Sequence, residues 1–296
     1  MSKTKRVWLL GGKDLEMEEI KKILKDKKEW VIDKDLDWGA NLVKYKDELL
    51  GFDSDTIVYG VELENNLSAY IDDDCILKRK DKEDIVYIEI DHHNLEHQKV
   101  SSLRQVAAII DHDLSMKQKF IAANDSGYIP AMEELADELG VDKYNWISKI
   151  RRLDRQSQGI TNFQERQTID VIKKFKKRKL NIYGRDKVPL VIIGIPHNKC
   201  ATVTDRIYKD YENLIVDSYK DGELNFYGNA EIIEELNNNN TIKINSDCEV
   251  WYGGNLEDGY GFWGISNVNE QQRVDIGMYI SEQFEHGEIV QANEYK

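Results

Sequence analysis

The chain has 296 residues, 41% hydrophobic and 32% charged, with 41 Lys and Arg against 55 Asp and Glu and a formal net charge of −14. That length suits two domains of ordinary size, and the acidic balance excludes a broad electrostatic grip on a nucleic-acid duplex. No apolar run approaches the roughly 20 residues of a membrane helix, and the isolated Cys75, Cys200 and Cys248 fit a reducing cytoplasm better than a disulfide framework.

The opening MSKTKRVWLLGG has too short an apolar run after its basic residues for a secretory leader, and it reads as a first strand over 6–12. Residues 14–27 place Leu15, Ile20, Ile23 and Leu24 near helical spacing, with acids in the first turn where a helix dipole favours them. A second strand is expected over 29–33 and a helix over 40–51, ending on glycine. Strands follow over 55–63 and 84–91, then helices over 102–114, 116–125 and 131–140. Strands alternating with helices indicate a parallel sheet, whose ligands collect at the carboxyl ends of its strands.

The composition shifts at 168–187, which is dense in Lys and Arg. It reads as a solvated helix joining two domains rather than a nucleic-acid patch. The α/β pattern then restarts: a strand over 188–196, a helix over 201–211, strands over 212–219 and 223–228, and a helix over 229–236. Near the end stands WYGGNLEDGYGFWG (251–264). Its aromatics Tyr252, Tyr260, Phe262 and Trp263 either stack a nucleobase or form the core of the second domain.

Three polar clusters carry chemistry. Asp33, Asp35 and Asp37 alternate at a strand end, and their carboxylates repel unless solvent or a cation lies between them. Asp91, His92 and His93 cap an apolar strand, offering oxygen and nitrogen donors where a parallel sheet opens its crevice. Mn²⁺ accepts both, and Mg²⁺ favours oxygen. Asp125 precedes a Ser126-Gly127 turn. His97 reads as a surface residue, and His112 and Asp113 as structural members of a helix.

In this order the clusters resemble the motifs of the DHH phosphoesterase superfamily, which includes oligoribonuclease-type nucleases, cyclic dinucleotide phosphodiesterases and family II inorganic pyrophosphatases. Asp33-Lys34-Asp35-Leu36-Asp37-Trp38-Gly39 is similar to its first motif. Asp91-His92-His93 is similar to its signature, and Asp125-Ser126-Gly127 to its Asp-Thr-Gly-like turn. SSLRQVAAII (101–110) looks like the helix start that follows the histidines. The chain departs from the pattern twice: Glu62 stands for the usual bridging aspartate, and the glycine motif at Gly253-Gly254 lacks a histidine.

The resemblance implies an α/β fold. A parallel-sheet metal-binding domain (1–164) would be joined by a linker helix (165–187) to a smaller α/β substrate-binding domain (188–296). It implies two Mn²⁺ or Mg²⁺ ions held by Asp33, Asp35, Asp37, Glu62, His92 and Asp125. Asp91 would orient the site and His93 would contact phosphate, with Arg104, Gly253, Gly254 and Asn255 as substrate contacts. The implied reaction is hydrolysis of a phosphodiester bond in a small nucleotide or short oligonucleotide by a cytoplasmic protein, with no long duplex and no membrane as partner; a homodimer is compatible with this. The alternative is a non-catalytic relative that binds a nucleotide or a protein as a sensor.

Overall fold

The computed structural model describes residues 5–37, 39–64, 76–78, 83–92, 100–182, 187–238, 247–254, 256–285 and 288–292. The chain divides into two compact units, residues 1–159 and 160–296. Both are α/β.

In the first unit, β1 (Lys5–Gly12), β2 (Trp30–Leu36), β3 (Thr56–Val61), β4 (Ile76–Leu77) and β5 (Ile85–Ile90) form one sheet in the order β2-β1-β3-β5-β4. All pairings are parallel except β4 with β5. The near-continuous apolar run of β1 is what a strand covered on both faces requires. Val7 and Leu9 pack with Leu42, Tyr45, Leu49 and Phe52 on one face, while Trp8 and Leu10 point to the other. There Trp8 stacks on its cross-strand neighbour Tyr59, with ring centroids 4.3 Å apart.

The helix α1 (Leu15–Asp26) starts on an Asp14 cap, whose side chain accepts from the Met17 N–H. The stretch expected as one helix over 40–51 begins instead as a 3₁₀ turn, Leu42–Tyr45, before α2 (Lys46–Gly51). Next, α3 (Ser102–Ile109) is shorter than expected.

The two helices expected over 116–125 and 131–140 meet as α4 (Met116–Leu139), with non-helical backbone at Gly127 and Tyr128. Pro130 accounts for the break: it has no N–H for the carbonyl four residues back, and its ring crowds that turn. The sequence pattern passed over α5 (Lys143–Ser157), which is capped by Asp142.

In the second unit, α6 (Asn162–Ile182) lies on β6 (Val188–Ile195) and the last strand, β11 (Ile289–Ala292). The remaining elements are α7 (Ala201–Ile207), β7 (Tyr211–Ser218), β8 (Glu223–Asn229), α8 (Ala230–Asn238), β9 (Glu249–Gly253), β10 (Tyr260–Ser266) and α9 (Glu270–Ser281). The sheet order is β11-β6-β7-β8-β10-β9, parallel across β11-β6-β7 and antiparallel beyond.

One face packs Val171, Ile172 and Phe175 of α6 and Val203 and Ile207 of α7 against Val191, Ile193, Leu214 and Val216. The opposite face packs α8 and α9 through Ile233, Leu236, Ile276 and Ile280 against Phe226, Trp263 and Ile265. The helix expected as a linker thus contributes its apolar stripe to the second unit's core. No helix among the described residues is long and apolar enough to cross a membrane.

Candidate metal centre

Register decides where the polar residues gather. Leu10 of β1 is level with Val61 of β3, and Val61 is level with Ile90 of β5. Glu62 and Asp91-His92 therefore leave the sheet side by side at its carboxyl edge, next to Gly11 of β1. The chain runs from β1 to β2 on one side and returns to β3 on the other, so this edge holds the topological switch point where an open α/β sheet forms its crevice.

Four side chains converge there. Glu16 from the first turn of α1, Glu62, His92 and Asp125 each bring one donor atom, all within 4.8 Å of one another. His92 Nε2 lies 2.5 Å from Asp125 Oδ2, 3.6 Å from Glu62 Oε1 and 3.7 Å from Glu16 Oε2.

The group is held by its own chain. The Leu103 N–H donates to Glu16 Oε1 at 3.2 Å, leaving Oε2 to face the cluster. The Glu62 N–H donates to the Ile90 carbonyl at 2.8 Å, and Glu62 takes φ 51°, a left-handed conformation that a non-glycine residue adopts only under constraint. Asp125 sits two residues before the break in α4.

Burial sets the electrostatics. Glu16 is 1% exposed and His92 7%. Burial, and then the neighbouring Asp125 and Glu62, push the Glu16 carboxyl well above the ordinary range. Asp14, on the α1 cap, is pushed up to about 7 by burial and by Glu62 and Asp125. For His92 burial opposes protonation, but the neighbouring carboxylates of Asp125 and Glu62 outweigh this and raise it to about 10. Raised carboxyls beside an imidazole that favours its charged form describe a site whose crowded negative charge favours proton uptake.

A divalent cation would replace those protons, and the donor set fits one. Three carboxylates and an imidazole suit Mn²⁺, and carboxylates suit Mg²⁺. Glu16 Oε2 and Glu62 Oε1 are buried without a hydrogen-bond partner, the condition a bound cation relieves.

Glu62, His92 and Asp125, each expected as a ligand from the sequence, are thus brought together. Asp91 stands beside them: its Oδ1 accepts the His92 N–H at 2.7 Å, and its carbonyl accepts from Gln105 Nε2 at 3.1 Å. Asp33, Asp35 and Asp37, expected beside them, are not in this cluster. They lie on or just past the edge strand β2; Asp33 pairs with Lys21, Asp35 lies 3.2 Å from Lys13, and Asp37 is exposed. Lys21 and Lys13 thus offset the charge of Asp33 and Asp35.

Their place is taken by Glu16, with Asp14 nearby, which the sequence reading assigned only to a helix dipole. The available signal was position: an Asp-x-Glu pair directly follows the glycine-ended first strand, at the edge where parallel sheets bind ligands.

His93, His97 and Asn255 lie outside the described residues. Arg104 is exposed on α3. His112 Nε2 lies 3.2 Å from Gln118 Oε1 on α4, a structural contact. In the second unit, Gly253 lies against the Phe262 ring and Gly254, at φ 96°, against Gly261. Trp263 is fully buried and Tyr252 and Tyr260 are exposed, so the aromatic group divides between core and surface.

No family model and no curated protein matches the chain. Among solved structures it is similar to RecJ of Thermus thermophilus in complex with Mg²⁺, with 10% identity and a TM-score of 0.36. That alignment covers 98% of this chain and 51% of RecJ, so the chain spans about half the length of that protein. It is also similar to PggH, a pGpG-specific phosphodiesterase of Vibrio cholerae, with 12% identity and a TM-score of 0.35, covering 95% of this chain and 98% of that one.

Proposed function

We propose that the chain is a divalent-metal-dependent phosphoesterase that cleaves a phosphodiester bond in a small nucleotide or a short oligonucleotide. The observation that carries this reading is the convergence of Glu16, Glu62, His92 and Asp125 at the switch point of the parallel sheet. These four residues would hold Mn²⁺ or Mg²⁺, with Asp14 as the further donor that a second ion would call on. When bound, such ions supply a water of lowered pKa and offset charge building on the phosphate oxygens.

The chain's own part is orientation. Asp91 fixes the backbone at His92, α3 holds Glu16 through Leu103, and α4 carries Asp125. A net charge of −14 opposes a long polyanion and favours a short substrate held at one point. In the second unit Trp251 packs against Gly264 and Phe262 against Gly253, both rings half-buried, which leaves aromatic surface of the kind that stacks bases.

The test is Mn²⁺ titration by calorimetry, followed by a panel of linear and cyclic dinucleotides, short single strands and pyrophosphate. Mn²⁺-dependent release of a nucleotide is expected. His92→Ala should abolish it, and Glu16→Gln should weaken Mn²⁺ binding by roughly tenfold or more, the cost of a lost donor being at least that of a lost supporting contact. Asp35→Asn should leave affinity unchanged. Turnover of none of these substrates at high protein concentration would sink the hydrolase reading, and Mn²⁺ binding indifferent to Glu16 would sink the assignment of the site.

A further inference from the structure

Arg151 of α5 is 7% exposed and packs against α4. Its NH1 donates to Asn124 Oδ1 at 2.7 Å and lies 2.9 Å from Asp154 Oδ2. Its guanidinium sits 4.5 Å from the ring centroid of Tyr128, the residue that takes φ 57° at the break in α4. Asn124 and Tyr128 flank Asp125. Successive helical residues diverge by about 100° around the axis. Asn124 can therefore face α5 while Asp125 faces the cluster, and a bond at one sets the azimuth of the other.

A guanidinium stays charged when buried and is costly unless paired and hydrogen-bonded. Arg151 meets that cost by pairing with Asp154 and donating to Asn124, and so ties the broken helix to α5. Lysine would keep the charge but not the planar fork that spans Asn124, Asp154 and the Tyr128 ring.

We propose that Arg151 is a positioning residue of the metal centre, acting through Asn124 and Tyr128 to hold the Asp125 carboxylate on the cluster. The inference rests on the metal-centre reading above. It gives Arg151 no contact with the metal or the substrate.

The experiment measures Mn²⁺ affinity, with the metal alone as probe, by calorimetry and by the electron paramagnetic resonance spectrum of the bound ion. Wild type, Arg151→Met, Arg151→Lys, Asn124→Ala and the Arg151→Met/Asn124→Ala double variant are compared, each also melted thermally without metal. Arg151→Met and Asn124→Ala should each weaken Mn²⁺ binding by roughly 10–100-fold, the range seen when a ligand's supporting contact is removed. Arg151→Lys should recover part of that loss, and the double variant should lose little more than either single change, because both cut one connection.

If Arg151→Met does not fold, Asn124→Ala alone decides, since it leaves the Arg151–Asp154 pair in place. Wild-type affinity in the Asn124→Ala or Arg151→Met protein, with stability alone reduced, would overturn the proposal while leaving the metal centre standing. A wild-type protein that does not bind Mn²⁺ would overturn the metal centre and this inference together.

Discussion

His197 shows how one side chain records its protonation state in its contacts. Its Nδ1 lies 3.3 Å from the Lys199 N–H, which can only donate, so Nδ1 is the acceptor and the proton sits on Nε2. Nε2 then donates toward the Gln164 carbonyl at 3.1 Å, with Thr168 Oγ1 at 3.3 Å. Burial lowers the imidazole's pKa below the ordinary histidine value, despite the pull of the Gln164 carbonyl and Asp221. The folded state therefore binds a proton less readily than the unfolded one, whose histidine titrates near about 6.5. The stability due to neutral His197 is fully present above that pH and is lost as pH falls through the lowered folded value. Urea unfolding followed by fluorescence should show the second unit weakening as pH drops below about 6.5, and His197→Gln should flatten that dependence. An unchanged slope in the variant would show that other groups govern it.

At the scale of elements, the candidate site depends on how closely β1 and β3 approach at their carboxyl ends. A Cβ on Gly11 would lie 2.1 Å from the Glu62 carbonyl oxygen and 2.7 Å from that of Val61. Neither backbone atom can step aside without moving the strand end that carries Glu62. Glycine is required here by space, not by its own conformation. Gly11→Ala should cost about 1–3 kcal/mol, as overpacking of a tight site does, and it should weaken Mn²⁺ binding because Glu62 is displaced. Gly51→Ala is the control, since nothing lies within 4 Å of a Cβ there. Equal thermal stability of the two variants would show that the strand ends yield more readily than their spacing suggests.

Over the whole molecule, the two units differ in how they use their helices. The first unit spends α1 and α4 on both core and cluster, whereas α6 of the second serves packing through Val171, Ile172 and Phe175. Its basic residues do not stand apart from that role: Lys179 is buried against Asp210 at 2.6 Å. We therefore expect a fragment beginning at residue 160 to fold cooperatively by calorimetry. A fragment beginning at residue 187, lacking α6, should not, because the face of β6 and β11 beneath α6 would be left bare. Cooperative folding of the shorter fragment would restore α6 to the role of a linker.

The sequence by itself determined the alternation of strands and helices, the change of composition over 168–187, and three of the four clustered residues. Each of these is written in local order: apolar period, glycine stops, and Asp-His or Asp-Ser-Gly at the end of an apolar run. It could not separate the acids of 33–37 from those of 14–16, because both are carboxylates beside a strand end and only their surroundings differ. Lys13 and Lys21 pair with Asp35 and Asp33 on an edge strand, while Glu16, buried and held by Leu103 of α3, keeps an oxygen to spare. The break at Gly127-Tyr128 follows from Pro130, whereas the register of three parallel strands and the buried Arg151 were decided by tertiary structure alone. Pairing and desolvation between residues far apart in the chain leave no local period for a sequence to display.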